Sequence, residues 1–226
     1  DISDVTGSTY SFLINGHGTP ETWTGLFAPR DAGDCHHHFS RVQRRAAAGL
    51  VEGEQQIEAG WIDGVIDYTL SELIANVAGG FHDAGSNRLE AAGRRGIPQI
   101  VVPGCVDFMV CGPRNEIPPE WRSRPSYYHN PEFTLVRANR DEQLEVARRI
   151  ARKLNAATGP VVVMVPTRGL SIPNCESDLQ GEQGAFWDPA LDAAFRTELR
   201  RHLDDRIAYY EFDVHINDES FAGAVL

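Results

Sequence analysis

Lysine is nearly missing from this 226-residue chain: Lys153 stands alone against twenty arginines. That shortage excludes two chemistries. A P-loop needs a lysine directly after its glycine-rich turn, and a Schiff-base enzyme needs a desolvated lysine in its pocket. Lys153 lies near the end of a predicted helix and serves neither purpose. A bound phosphate would have to be held by arginine, backbone amides or a metal. Cysteine is sparse as well. Cys35, Cys105, Cys111 and Cys175 form no Cys-x-x-Cys pair, so reduced thiols are expected rather than disulfides or a zinc cage. Net positive charge is absent: the formal balance is -11, against the clustered Lys and Arg that a duplex-binding surface requires. Nucleic acid is therefore not an expected partner. Nor is a membrane, because no apolar run approaches the roughly 20 residues that span a bilayer. With no signal-like segment at its start, the expected location is cytoplasmic. The chain opens on Asp1 rather than Met and reads as a fragment or processed piece.

What is present is ordinary for a globular protein with a real core, at 42% hydrophobic and 23% charged residues. Ser11 to Asn15 reads as a first strand, and residues 16 to 40, rich in Gly, Pro, Asp and His, read as loop. A loosely periodic helix is expected from Ser40 to Ala59. Sharper signals follow: a strand from Gly64 to Asp67, then Thr69-Leu70-Ser71-Glu72 with the spacing of a capping box. That helix should end at Gly79-Gly80, and a second should run from about Ser86 to Arg95. Ile97 to Val102 and Val161 to Val165 are short β-branched runs, the pattern of strands buried on both faces. Between them Asn139 and Glu142 cap a helix reaching Asn155. Asp188-Pro189 starts another helix, and Ile207 to Val214 is the last predicted strand. This alternation predicts a doubly wound, mostly parallel α/β sheet with helices on both faces, a Rossmann-like three-layer arrangement.

In such sheets ligands bind beyond the carboxyl ends of the strands. Four turns qualify: Asp67-Tyr68-Thr69, Pro103-Gly104-Cys105-Val106-Asp107, Pro166-Thr167-Arg168-Gly169-Leu170-Ser171 and His215-Ile216-Asn217-Asp218. Asp67, Ser171 and Asp218 are equally readable as helix caps. Taken together, the four turns supply the hydroxyls, carboxylates, arginine and histidine that a polar small-molecule site needs. Arg168, Gly169 and Ser171 are candidates for holding an anion. Asp107 and His215 are the candidate acid and base, His215 being equally readable as an orienting hydrogen bonder. Cys105 has no neighbour in sequence that would lower its pKa and make it a nucleophile. Cys35-His36-His37-His38 has metal-binding residue types, but adjacent side chains point in different directions, and no metal site is expected. Tyr127-Tyr128-His129-Asn130-Pro131 is an aromatic, loop-like stretch that either covers a ligand or packs a connection onto the sheet.

Several of these segments, in this order and spacing, resemble one family. They are Asp63-Gly64-Val65-Ile66-Asp67-Tyr68-Thr69 with Glu72-Leu73, Arg88-Leu89-Glu90-Ala91-Ala92-Gly93 through Ile97-Pro98-Gln99, and Pro103-Gly104 with Asp107. His129-Asn130-Pro131, Asn155 with Gly159-Pro160, and His215-Ile216-Asn217-Asp218 complete the set. The residues from about 55 to 226 are similar to the second half of the tomato mosaic virus resistance protein-like, ATP-binding family, whose bacterial members are mostly uncharacterised. The resemblance implies two α/β subdomains, of which this would be the C-terminal one, together with nucleotide binding and self-association. Residues 1 to 54 depart from the pattern and read as a divergent segment or a local change of reading frame.

The leading expectation is a domain that binds ATP, with or without magnesium, or a phosphorylated metabolite. Its ligand-binding candidates are Asp67, Thr69, Gly104, His129, Asn130, Arg168, Gly169, Ser171, Asn217 and Asp218. The alternatives are a small-molecule hydrolase or isomerase using Asp107 and His215, and a protein-interaction module without catalysis. The expected macromolecular partners are the upstream subdomain and a second copy of the chain.

Overall fold

In the computed structural model the described residues are 12–15, 53–178 and 180–226. Cys35 to His38 and most of the 1–54 segment lie outside them, as does all but the end of the helix expected from Ser40 to Ala59; residues 53–58 are helical. Five parallel strands form the main sheet: β1 (Phe12–Asn15), β2 (Gly64–Thr69), β3 (Gln99–Gly104), β7 (Val161–Pro166) and β8 (Ala208–Phe212), in the order β1-β2-β3-β7-β8. Strand β1 pairs along β2 from Phe12 opposite Gly64 to Asn15 opposite Asp67, so the first 54 residues contribute the edge strand of this sheet.

Helices α1 (Ser71–Ala78), α3 (Arg140–Asn155) and α4 (Pro189–His202) cover one face, where Val101, Val163 and Val165 of the sheet meet Leu73, Ile150, Leu154, Phe195 and Leu199. The short helix α2 (Ala91–Arg95) packs Ala91 and Ala92 on Val65 of the same face. On the opposite face Tyr68, Val102 and Met164 pack against Phe221 and Val225 of helix α5 (Glu219–Val225). The result is the expected three-layer α/β fold. The β-branched strands bury apolar side chains on both faces, which is why they showed no polar alternation.

Local signals were obeyed where nothing nonlocal competed. Asn139 accepts from the Glu142 amide at 2.9 Å and Glu142 reaches back to the Asn139 amide at 2.8 Å, the full capping box. Asp188 accepts from the Leu191 amide at 3.0 Å. Gly79 and Gly96 end their helices in the left-handed conformation, with φ of 96° and 73°. Two expectations are corrected. Thr69 is not a helix cap: it is the last residue of β2, opposite Gly104, while Glu72 turns inward to Arg88 and Ser71. The helix expected from Ser86 begins only at Ala91, because Leu89 sits at φ 71°. Glu54 fixes that bend by accepting from the Leu89 amide at 2.7 Å, the Ala91 amide at 2.9 Å and the Arg88 guanidinium.

One element set was not anticipated. After β3 the chain builds a three-stranded antiparallel sheet from β4 (Phe108–Cys111), β5 (Ser126–Asn130) and β6 (Phe133–Arg137), in the order β4-β6-β5. Met109, Cys111 and Val136 join the main core, whereas Phe108, Val110, Leu135, Tyr127 and Phe133 cluster with Phe186. Both faces of this small sheet are apolar, and each covers something different.

Candidate functional site

The parallel strands bring all four predicted turns to one edge, where their backbones interlock. A Cβ on Gly104 would lie 2.4 Å from the Tyr68 carbonyl oxygen and 2.5 Å from Ile216 Cδ1, so only glycine lets β2, β3 and the turn after β8 close together. Gly169 has φ 128°, and its Cβ would lie 1.7 Å from the Asn174 carbonyl oxygen. Its own carbonyl accepts from the Ile216 amide at 3.1 Å. Both glycines therefore pack the rim itself. Cys105 is in the left-handed region at φ 59° and donates its amide to the Leu170 carbonyl at 2.8 Å.

Above this rim is a cavity of about 330 Å³, a size in the ligand-pocket range of roughly 300–1,000 Å³. The main sheet edge supplies Tyr68, Thr69, Cys105, Ser171, Ile216 and Asn217. The outward face of the antiparallel sheet supplies the facing wall, with Phe108, Val110, Tyr127, His129, Phe133 and Leu135. His82, Asn130, Ile172 and Pro173 complete the lining. Of the candidates named from sequence, Thr69, His129, Asn130, Ser171 and Asn217 meet here. His82, Phe108, Phe133 and Ile172 were missed. A signal for the wall did exist: Asn130-Pro131 between two aromatic and β-branched runs is a hairpin pattern. In the structure Asn130 Oδ1 accepts from the Glu132 and Phe133 amides at 2.9 Å, closing that hairpin turn.

The remaining candidates are placed elsewhere. Asp67 faces the helical layer and is ion-paired with Arg88, which also neighbours Glu54 and Glu72. Asp107 is fully buried: it accepts from Ser171 Oγ at 2.7 Å, and its Oδ2 lies 3.5 Å from Arg137 Nη1. Arg137 also donates to Asp192 at 2.8 Å, and Asp192 accepts from Asn174 Nδ2 at 2.8 Å. His215 is held by backbone on both sides of its ring. Nδ1 accepts from the Asn217 amide at 3.1 Å, which assigns the proton to Nε2, 3.0 Å from the Ser171 carbonyl. Asp107 and His215 thus both meet Ser171, but neither lines the cavity, and each is occupied in holding the turn. Arg168 points to solvent, bonded to Asp213 at 2.8 Å and near Glu176 at 3.6 Å. Asp218 accepts from the His215 amide at 2.8 Å.

Burial dominates the electrostatics around the cavity. Desolvation raises the Cys105 thiol well above its ordinary pKa, and Asp107 and Glu72 raise it further, so it is no thiolate nucleophile at neutral pH. Burial, then Asp218, raises the Tyr68 hydroxyl, which donates to the Ile216 carbonyl at 2.7 Å. Burial also raises Glu72 and Asp192, against the opposing pull of Arg88 and Arg137 respectively. Among the described residues, no group of three or more His, Cys, Asp or Glu is placed to hold a metal ion. No helix among them is long and apolar enough to cross a membrane.

Fold and pocket together define a three-layer α/β domain with a small-molecule-sized site at the carboxyl edge of its sheet. Among known sequences, the family model described as the C-terminal domain of uncharacterised protein family UPF0261 matches residues 49–226. The chain belongs to that family. It is 36% identical over 185 residues to a UPF0261 protein of Clostridium tetani, covering 81% of this chain and 44% of that protein. It is 34% identical over 191 residues to the ToMV resistance protein Tm-1 of Solanum lycopersicum, covering 84% of this chain and 24% of the tomato protein. A UPF0261 protein of Rhizobium meliloti is 34% identical over 175 residues, covering 76% and 42% of the two chains. The chain spans less than half the length of each of these relatives.

Proposed function

We propose that this domain binds a nucleotide, ATP being the first to test, or a phosphorylated metabolite, in the cavity at the carboxyl edge of the sheet. The observation that carries the reading is the wall the chain builds there. Phe108, Tyr127 and Phe133 offer aromatic rings, and Thr69, Asn130, Ser171 and Asn217 offer uncharged hydrogen-bonding groups, a combination suited to a heterocycle and a sugar. The implied ATP binding of the resembling family supports the choice of ligand. The same reading places the domain in the cytoplasm, where nucleotides are plentiful, and takes an upstream subdomain and a second copy of the chain as partners.

The test is calorimetric titration of ATP, with and without magnesium, into the protein and into its Ile172→Trp variant. Ile172 lines the cavity and is 61% exposed, so a larger side chain there obstructs the mouth without disturbing the core. Saturable binding that the substitution weakens at least about tenfold, a loss of about 1.4 kcal/mol, is the expected outcome. Absence of heat with either form of ATP refutes the nucleotide reading.

A further inference from the structure

Resting on that reading, we propose that the cavity receives the uncharged end of the nucleotide, base and sugar, and leaves the phosphates outside its mouth, so that the site recognises a nucleoside. Among the described residues, sixteen line the cavity and none of them is Lys, Arg, Asp or Glu. A phosphate drawn into such a place would lose its hydration without gaining a counter-charge, which is strongly unfavourable.

The arginines nearest the candidate residues named from sequence are already engaged. Arg168 is committed to Asp213 and Glu176, Arg137 to Asp107 and Asp192, and Arg88 to Asp67, Glu72 and Glu54. The cavity is also a poor place for an anion. Burial first, and carboxyl groups after it, raise the Cys105 thiol and the Tyr68 hydroxyl, and both of those groups line the pocket. Surroundings too dry to favour a thiolate disfavour a phosphate for the same reason.

The hydrogen-bonding groups suit an uncharged partner. Ser171 Oγ spends its proton on Asp107 and can only accept from a ligand, while Asn130 spends its Oδ1 on the hairpin turn and keeps its amide donors. One acceptor and one donor facing a wall of three rings match the edge of a stacked heterocycle. Among the described residues no carboxylate lines the cavity to share a magnesium ion with the phosphates.

The experiment compares adenosine, ATP and inorganic tripolyphosphate by calorimetry at pH 8. Expected are adenosine and ATP affinities within about threefold of one another, no effect of magnesium, and no binding of tripolyphosphate. Ile172→Trp should weaken adenosine and ATP alike. If ATP binds and adenosine is at least about a hundredfold weaker, or tripolyphosphate displaces ATP, recognition is led by charge. This inference then falls while the nucleotide reading stands. Binding of adenosine that Ile172→Trp leaves unchanged places the nucleoside elsewhere and also overturns it. If neither ATP nor adenosine binds, the nucleotide reading fails first and takes the inference with it.

Discussion

Replacing Arg137 by methionine removes a cation shared by two buried carboxylates. Its guanidinium donates to the Asp107 carbonyl at 3.0 Å and to Asp192 Oδ1 at 2.8 Å, and lies 3.5 Å from Asp107 Oδ2. Asp107 is 0% exposed and Asp192 3%. Breaking a buried pair by deleting one partner costs about 3–5 kcal/mol, because the charge left behind is neither hydrated nor paired. That is a large part of the roughly 5–15 kcal/mol that holds a domain together. Urea unfolding followed by circular dichroism measures it, with an unchanged m-value showing that the loss lies in the native state. Acid should shrink the penalty. Burial already raises Asp192 despite Arg137, and a carboxyl with a raised folded pKa contributes full stability below its unfolded pKa and loses it as pH rises through the folded one. Without Arg137 that pKa climbs further, so the variant should lag the parent most at pH 7 and least near pH 4. Asp107→Asn with Asp192→Asn, added to Arg137→Met, should recover most of the loss at pH 7. A cost below about 1 kcal/mol at pH 7, or one that is the same at both pH values, would refute the reasoning, since it would mean the pair is hydrated or idle.

Gly104→Ala should destabilise by about 1–3 kcal/mol or more, because its Cβ meets backbone oxygen at 2.4 Å and cannot be relieved by a rotamer change; a thermal melt no lower than the parent's would contradict that packing. Cys105 should react with iodoacetamide at pH 7.5 at least about tenfold more slowly than free cysteine, since its thiol is held protonated. Labelling followed by peptide mass analysis reads the rate, and one equal to that of free cysteine would disprove the burial, with Asp107 and Glu72 beside it, that holds the thiol protonated. Glu54→Ala removes the acceptor that bends the chain at Leu89 and should cost about 1–3 kcal/mol. Hydrogen exchange should then quicken over residues 88–92 and stay unchanged over β7; uniform behaviour of the two segments would sink the local account.

The elements read correctly from sequence were those whose signal is short-ranged. Val161 to Pro166 could bury both faces only as an interior strand, and Asn139 with Glu142 carries its own hydrogen-bond partners. The failures came where a distant residue decided. Thr69 and Glu72 have the spacing of a cap, but strand pairing with Gly104 and the guanidinium of Arg88 claimed them. Ser86 to Glu90 has the composition of a helix, and Glu54, more than thirty positions earlier, bent it. The pocket was half legible for the same reason. Topology placed Thr69, Ser171 and Asn217 at the sheet edge, whereas the wall opposite depends on β4, β5 and β6 pairing with one another. Arg168 and Asp107 looked available because sequence does not display that Asp213 and Arg137 have taken them.

The antiparallel strands leave the main sheet just after Gly104 and return at Arg140, where α3 begins the crossover to β7. Parallel pairing runs directly from β3 to β7 and passes this excursion by. One wall of the cavity is thereby carried by a stretch of chain that the parallel pairing does not use. Substitutions at Tyr127, His129 or Phe133 can reshape one side of the cavity while the register of the five parallel strands stays as it is. The positions of that stretch that face the cavity are free to vary, while Asp107, Met109, Cys111, Val136 and Arg137 beside them are held by the buried core.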